Sequence, residues 1–216
     1  MLAPVKEKSS YKALLSIAVP LAAQNMITFT VSLADTVMLG QVSETALSAA
    51  NLANELYFML MIIGFGITSG STVFTAQYWG KRDPASIRKI ITIMLRITLV
   101  VSVLATCIAA FLPETFMRWY SEDEAVIEQG ADYLRIMAFG YIFFSIGNAL
   151  FSILRTVHTV RISVIAYLIS LMVNISLNWI FIFGHFGFPA MGVRGAAIAT
   201  VIARFTEFAI AVVYMR

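Results

Sequence analysis

An aspartate stands among amide and hydroxyl side chains in the first long apolar stretch of the sequence. Gln24, Thr28 and Asp35 are spaced by four and seven residues, which places them on one face of an α-helix. An aspartate at mid-helix in a membrane costs about 2.5–3.5 kcal/mol on insertion scales, so Asp35 is expected to face a wet cavity or a partner side chain. A carboxyl in that setting can bind a proton or a small cation. The alternative is that Asp35 lies at the helix end, near Gly40, at the level of the lipid headgroups.

Three further apolar stretches carry polar side chains at helical spacing. The stripes hold Tyr141, Ser145, Asn148, Ser152 and Arg155 in one stretch, Tyr167, Ser170, Asn174 and Asn178 in the next, and Thr200, Arg204 and Glu207 in the last. Ser, Thr and Asn can simply join helices by hydrogen bonds, so each stripe alone also fits a structural role. Four stripes together, beside a carboxyl at membrane depth, favour a hydrated central cavity. The candidate cavity and substrate-binding residues are Gln24, Thr28, Tyr141, Asn148 and Thr200.

Two features of these stretches affect charge and shape. Arg204 and Glu207 are three residues apart near the middle of the last stretch, so we expect a structural ion pair that neutralises both. Contact with a substrate or with a partner lobe is the alternative. Pro20 lacks a backbone donor and is expected to kink the first helix, which leaves carbonyl groups for neighbouring helices or water to satisfy.

The composition indicates that lipid is the solvent of these helices. Of the 216 residues, 60% are hydrophobic and 12% are charged, and the mean hydropathy is +0.85. Soluble domains have about 45–50% apolar and about 25% charged residues, and they could not bury so much apolar surface. No nucleotide, catalytic-triad or metalloprotease motif is present. Cys107 and two distant histidines give no metal site, so neither an enzyme, a metal protein nor a nucleic-acid partner is expected.

Six apolar runs reach the roughly 20 residues that a membrane-spanning helix needs. They cover about 14–39, 52–78, 89–112, 126–154, 162–183 and 195–215. The sequence therefore predicts an all-α integral membrane protein, in which segment 1–13 precedes a six-helix unit over 14–216.

Basic residues are concentrated in the connections on one side of the predicted bundle. That side holds Lys6, Lys8, Lys12, Lys81, Arg82, Arg88, Lys89, Arg155, Arg161 and Arg216. The loops on the other side hold only Arg118 and Arg194 and most of the acids. The positive-inside rule thus predicts a multi-pass protein of the cell (plasma or inner) membrane with both termini in the cytoplasm.

Four segments together resemble the multidrug and toxic compound extrusion (MATE) family. They are Ala18–Gly40, with its proline and its Asp-Thr pair; Gly66–Asp83, with GITSG and AQYWGKRD; Asn174–Gly184, NISLNWIFIFG; and Gly192–Thr200, GVRGAAIAT. The similarity extends over essentially the whole chain. An asparagine at position 178, where one branch of the family has an aspartate, resembles the NorM-like branch.

The resemblance implies both a fold and an activity. Such transporters belong to the MOP superfamily and have twelve helices in two six-helix lobes, and they export organic cations and other toxic compounds against protons or sodium ions. It implies that Asp35, Asn174 and Asn178 form the cation-coupling site, with no cofactor besides the coupling H⁺ or Na⁺. The chain corresponds to an N-terminal lobe, and we expect a fragment whose second lobe comes from the same parent chain or from another half.

Two other functions stay open at this point. A lipid or polysaccharide-precursor flippase of related fold should show more basic residues in its cavity than the stripes hold, since only Arg204 lies deep. A non-transporting membrane fragment is the third possibility. Drugs or organic cations, membrane lipid and a second lobe are the expected partners.

Overall fold

The computed structural model describes the backbone of residues 7–156, 159 and 161–215, and the side chains from residue 18 onward within these ranges. This part of the chain folds into seven helices and contains no strand. The helices are α1 (Glu7–Gly40), α2 (Glu44–Gly80), α3 (Pro84–Phe111), α4 (Pro113–Met117), α5 (Glu124–Thr156), α6 (Arg161–Phe183) and α7 (Val193–Met215). The expected all-α fold is confirmed. Residues 1–6 of the predicted leading segment and Arg216 lie outside the described residues.

The helices begin earlier than the apolar runs because capping side chains, and not hydropathy, set their starts. Helix α2 begins at Glu44, where the Ser43 hydroxyl accepts a hydrogen bond from the Ala46 amide at 3.0 Å. Helix α3 begins at Pro84, where the Asp83 carboxylate accepts one from the Ser86 amide at 3.1 Å. Residues 113–125 lie between two predicted apolar runs, and the short helix α4 begins there at Pro113, a residue that favours the first turn of a helix.

Five helices in the described part of the chain are long and apolar enough to cross a membrane: α2, α3, α5, α6 and α7. Helix α1 has 34 residues and is not among them, but the side chains of residues 7–17, which hold part of its apolar run, lie outside the described residues. The bundle surface is apolar: the side chains of Phe65, Phe111 and Phe139 are 71%, 80% and 73% exposed. Contact of so much apolar surface with water would be unfavourable, whereas lipid tails solvate it. The chain is therefore a multi-pass membrane protein.

Helix α5 lies at the centre of the bundle and packs against α2, α3, α4 and α7. Helix α7 in turn packs on α6, and α6 packs on α1. Helix α1 makes only slight contacts with α2 and α7. The ring of helices is therefore loosely closed between α1 and α2, and this opening positions the functional site described below.

The α6–α7 hairpin depends on two glycines where backbones come close. Gly184 has a φ of +76°, a conformation that other residues rarely adopt. A side chain added at Gly195 would place its Cβ 2.6 Å from the Phe181 carbonyl carbon. Backbone atoms cannot yield as a flexible side chain can, so any larger residue at position 195 must push α7 away from α6.

We predict that Gly195→Ala lowers the free energy of unfolding by about 1–3 kcal/mol, the usual range for overpacking a tight core. The matched control is Gly66→Ala, because a Cβ at Gly66 meets nothing within 4 Å and alanine favours a helix. Thermal unfolding of both purified variants in the same detergent measures the effect. An unfolding temperature of Gly195→Ala equal to that of the wild type would contradict the close α6–α7 approach.

Candidate functional site

A chain of polar side chains links three helices at one end of the bundle. The Asn178 side-chain amide on α6 donates hydrogen bonds to the Asp35 carboxylate on α1 and, at 3.1 Å, to the Asn174 amide oxygen. Asn174 in turn donates to the Thr200 hydroxyl on α7 at 3.3 Å. Both asparagines have no exposed surface. The first of these bonds stabilises the carboxylate and holds the far half of α1 against α6.

The other side of Asp35 borders a cavity of about 460 Å³, which we call the Asp35 chamber. Helices α1, α2, α5 and α7 form its walls, so it lies at the opening between α1 and α2. Its polar lining residues are Asn25, Thr28, Ser32, Asp35, Thr36, Asn51, Asn54, Glu55, Tyr57, Tyr133, Thr200 and Arg204. The chamber therefore combines carboxylate, amide and hydroxyl oxygens, which are suitable ligands for a proton or a hard cation.

A second cavity of about 610 Å³ adjoins the first, and we call it the Arg155 chamber. The two chambers share the lining residues Asn25, Thr28, Tyr57, Met61 and Arg204. The Arg155 chamber further includes Gln24, Asn148, Arg155 and Tyr167 among its lining residues. The shared residues show that the two chambers lie side by side along α1.

The Arg204 side chain lies where the two chambers meet. One guanidinium nitrogen donates to both Glu207 carboxylate oxygens, at 2.9 and 3.1 Å. The guanidinium also lies 5.4 Å from the ring centres of Tyr57 and Phe144. Arg204 and Glu207 are both buried, at 8% and 5% exposure. Such a burial requires a neutralised pair, and the attraction of the guanidinium for the two aromatic faces adds to its stability.

Most of the predicted site residues meet at these two chambers. Thr28 lines both chambers, Thr200 lines the Asp35 chamber, and Gln24 and Asn148 line the Arg155 chamber. Asn174 and Asn178 lie behind Asp35 and orient it. Four other candidate residues, Tyr141, Pro20, Arg204 and Glu207, are placed differently.

Tyr141 borders neither chamber and belongs to the hydrophobic core, with 1% exposure. Helix α5 packs against α2, α3, α4 and α7, so a polar residue on it need not face a cavity. Pro20 lies within α1, and the helix continues through the proline from Glu7 to Gly40. Arg204 and Glu207 form the ion pair described above.

Some residues that line the chambers were not among the candidates predicted from the sequence. Asn54 and Glu55 line the Asp35 chamber from α2, and the Tyr133 hydroxyl donates to the Asn54 side chain at 3.2 Å. The available signal was the spacing of Asn51, Asn54 and Phe58 by three and four residues, which places them on one face of α2. In the described residues, no group of three or more His, Cys, Asp or Glu side chains could hold a metal ion.

Comparison with known proteins supports the fold and the family. The MatE family model matches residues 20–180. A "Probable multidrug resistance protein NorM" of Thermotoga maritima is 30% identical over 195 residues, which are 90% of this chain and 42% of the relative. The protein of the same name from Rhizobium meliloti is 30% identical and covers 95% of this chain and 44% of the relative. The chain thus spans less than half the length of these relatives.

Solved transporter structures have the same fold. The crystal structure of MATE in complex with MaD3S superposes with a TM-score of 0.85 at 20% identity, over 94% of this chain and 45% of that one. The outward-facing conformation of a multidrug resistance MATE family transporter of the MOP superfamily gives 0.83 at 21% identity, over 94% and 44%. The helix arrangement matches one half of these transporters. With its four family-like segments and a family model that matches most of its length, the chain belongs to the MatE family.

Proposed function

We propose that this chain forms one lobe of a cation-coupled multidrug antiporter, which exports organic cations and other toxic compounds in exchange for protons or sodium ions. The observation that carries the proposal is Asp35, a carboxylate bound to Asn178 on one side and bordering a cavity on the other. The names of the relatives support the multidrug substrates. Their greater length supports a second six-helix lobe as the partner, whether from the same parent chain or from another half.

Asp35 and Asn178 together suit a site that gains and loses a cation. An ionised Asp35 accepts a hydrogen bond from the Asn178 amide nitrogen, as in the structure. The Asn178 amide oxygen has no hydrogen-bond partner among the described residues. A protonated Asp35 can donate to that oxygen, and a sodium ion can be bound by it together with the carboxylate. In each case the coupling ion neutralises the charge that would otherwise attract a cationic drug.

Antiport follows from this competition for one carboxylate. A drug cation and a coupling ion cannot both neutralise Asp35, so binding of one favours release of the other. Each ligand then shifts the equilibrium between conformations open to opposite sides by its difference in affinity for them. A second lobe would close the opening between α1 and α2 and so complete the cavity. Rocking of one lobe against the other would then expose the cavity to either side of the membrane.

A flippase of lipid or polysaccharide precursors is the less favoured candidate. The diphosphate of such a substrate would require several free basic groups beside it. The Asp35 chamber contains two carboxylates, Asp35 and Glu55, and a single guanidinium, Arg204, that Glu207 already neutralises. This charge balance favours a cationic ligand over a diphosphate.

The basic end of the bundle supports a cytoplasmic location for both termini, in the plasma or inner membrane. Within the described residues, no ion pair within 4 Å joins Lys81, Arg82, Arg88 or Lys89 to a carboxylate. At the opposite end the arginines are paired with acids: Arg118 with Glu124 at 2.9 Å, and Arg194 with Asp132 at 2.7 Å. The number of Lys and Arg residues close to the membrane spans, and not the net charge, is what retains a loop on the cytoplasmic side.

We predict that Asp35→Asn lowers efflux of a fluorescent organic cation at least tenfold in cells that express the complete reading frame, because the neutral amide cannot take up a proton and has no charge to balance a sodium ion or a drug cation. The matched control is Glu128→Gln, which removes an exposed carboxylate of α5 that lines neither chamber. Efflux is followed as loss of cell fluorescence, at equal membrane abundance of each variant. Undiminished efflux by Asp35→Asn would show that the coupling site lies elsewhere.

A second prediction concerns orientation. In a Cys107→Ser background, Gln41→Cys should react with a membrane-impermeant maleimide in intact cells, and Ala85→Cys only after permeabilisation. Both positions are exposed, one between α1 and α2 and the other at the start of α3. The opposite labelling pattern would reverse the proposed topology.

A further inference from the structure

The outer surface of the bundle contains an apolar groove between α2 and α3, which we call the α2–α3 groove. Its volume is about 420 Å³, and it shares no lining residue with either chamber. The side chains of Phe74 and Ile93 in its walls are 56% and 57% exposed, so the groove opens to the surroundings of the bundle and not to the chambers. Its walls are formed mainly by Gly66, Gly70 and Phe74 of α2 and by Ile90, Ile93 and Ile97 of α3.

The α2–α3 groove has the chemistry and length to hold part of a lipid tail. A Cβ added at Gly66 or at Gly70 would meet nothing within 4 Å, so no protein group fills the space beside them. From Gly66 to Phe74 a helix rises about 12 Å. The hydrocarbon of one membrane leaflet is about 15 Å deep, half of the whole core. An acyl chain from one leaflet can therefore lie along the groove.

Both walls of the groove lead to a lysine. On α2, Tyr78 follows Phe74 by four residues, and the Lys81 ammonium lies 5.5 Å from the centre of the Tyr78 ring. On α3, Lys89 precedes Ile93 by four residues. Residues four apart share a helix face, so Lys81 and Lys89 flank the same end of the groove. Lys81 lies about 10 Å along the helix axis beyond Phe74, which places it at the level of lipid headgroups.

The positive charge at this end exceeds the negative charge near it. No carboxylate of the described residues lies within 4 Å of Lys81, Arg82 or Lys89. The only acid among positions 56–113 is Asp83, whose carboxylate accepts hydrogen bonds from the Ser86 amide at 3.1 Å and the Ser86 hydroxyl at 2.6 Å. These bonds, with a smaller contribution from the charge of Lys89, lower the pKa of Asp83. One acid that already caps α3 thus stands against three basic side chains.

We propose that the α2–α3 groove binds an anionic phospholipid, with one acyl chain in the groove and the phosphate between Lys81 and Lys89. Ammonium groups bind phosphate as point charges and need no paired geometry. A lipid in this position touches neither chamber, so the proposal does not rest on the proposed export function.

The competing occupant is a helix of another polypeptide, either a second copy of this chain or a second lobe, because glycines also allow close helix packing. Such a helix would bring its own Lys and Arg residues to the same side of the membrane, since the positive-inside rule applies to it as well. A second copy related by an axis along the membrane normal would bring Lys81 and Lys89 again. Like charges repel, whereas a phosphate neutralises them, and this complementarity favours the anionic lipid.

The experiment compares two lipids that differ only in the headgroup. Palmitoyl-oleoyl phosphatidylglycerol is anionic, and the phosphatidylcholine with the same acyl chains has no net charge. Native mass spectrometry of the protein, expressed from its complete reading frame and purified in detergent, measures the Kd of the first bound lipid. We expect the wild type to bind phosphatidylglycerol at least about tenfold more tightly than phosphatidylcholine. Lys81→Gln combined with Lys89→Gln should raise the Kd of phosphatidylglycerol about tenfold and that of phosphatidylcholine less than about twofold.

A matched pair of substitutions controls for general surface charge. Arg88→Gln combined with Arg161→Gln also removes two positive charges from the basic end of the bundle. Both arginines are exposed and line no part of the groove. Arg88 is five residues from Ile93 and two from Ile90, so it lies on a different face of α3. This variant should change the Kd of either lipid less than about twofold.

A third variant tests the groove itself. Gly70→Leu fills it without a clash, since a Cβ there meets nothing within 4 Å. It should raise the Kd of both lipids about fivefold, as expected when one or two buried methylene groups lose their place. Thermal unfolding of every variant in the same detergent reports whether the fold is retained.

Three results would overturn the proposal: equal affinity of the wild type for both lipids, equal weakening by the lysine pair and the arginine pair, or unchanged lipid binding by Gly70→Leu. A dimer in the same spectra that Gly70→Leu dissociates would assign the groove to a second copy and would also overturn it. Binding is measured without transport, so failure of the Asp35→Asn efflux prediction would leave the lipid site standing.

Discussion

Burial of a carboxylate in an apolar bundle is the constraint on which the site depends. Asp35 lies in a helix that lipid surrounds on its outer side, and an unpaired charge there would be costly. The structure meets this requirement with a chain of hydrogen bonds. Asn178 donates to Asp35 and to Asn174, and Asn174 donates to Thr200. The same bonds that satisfy the charge also position α1, whose main packing partner is α6.

The loose contact of α1 with α2 is what leaves a cavity beside that carboxylate. Helix α5 fills the centre of the bundle, and its buried face closes the far wall. Arg204 lines both chambers, and its pairing with Glu207 keeps it from adding net charge. Carboxylates line the Asp35 chamber, whereas Arg155 lines the other, so the charge of the lining changes along α1.

The sequence predicted the local features and missed those that depend on neighbouring helices. Helical spacing was sufficient for the pairing of Arg204 with Glu207, because both lie on one turn of α7. Hydropathy located the six long helices but not their ends, since caps such as Ser43 extend α2 beyond the apolar run. The meeting of Asp35 with Asn178, 143 residues apart, came only from the family resemblance, because periodicity does not say which helices adjoin.

Tyr141 shows that a predicted cavity residue can instead belong to the core. Its stripe on α5 is real, but that helix has neighbours on nearly every side, so its polar residues divide between core and cavity. Asn148, seven residues further along α5, does line the Arg155 chamber. One-sided polarity thus identifies a face of a helix and cannot say whether that face meets water or another helix.

The most direct test of the central claim is infrared difference spectroscopy of the reconstituted protein as pH or sodium concentration is changed. If Asp35 binds the coupling ion in a solvated cavity, one carboxyl band will respond to the ion, disappear in Asp35→Asn and shift in Asn178→Ala. An ion-induced difference spectrum that is identical in the wild type and in Asp35→Asn would contradict the account.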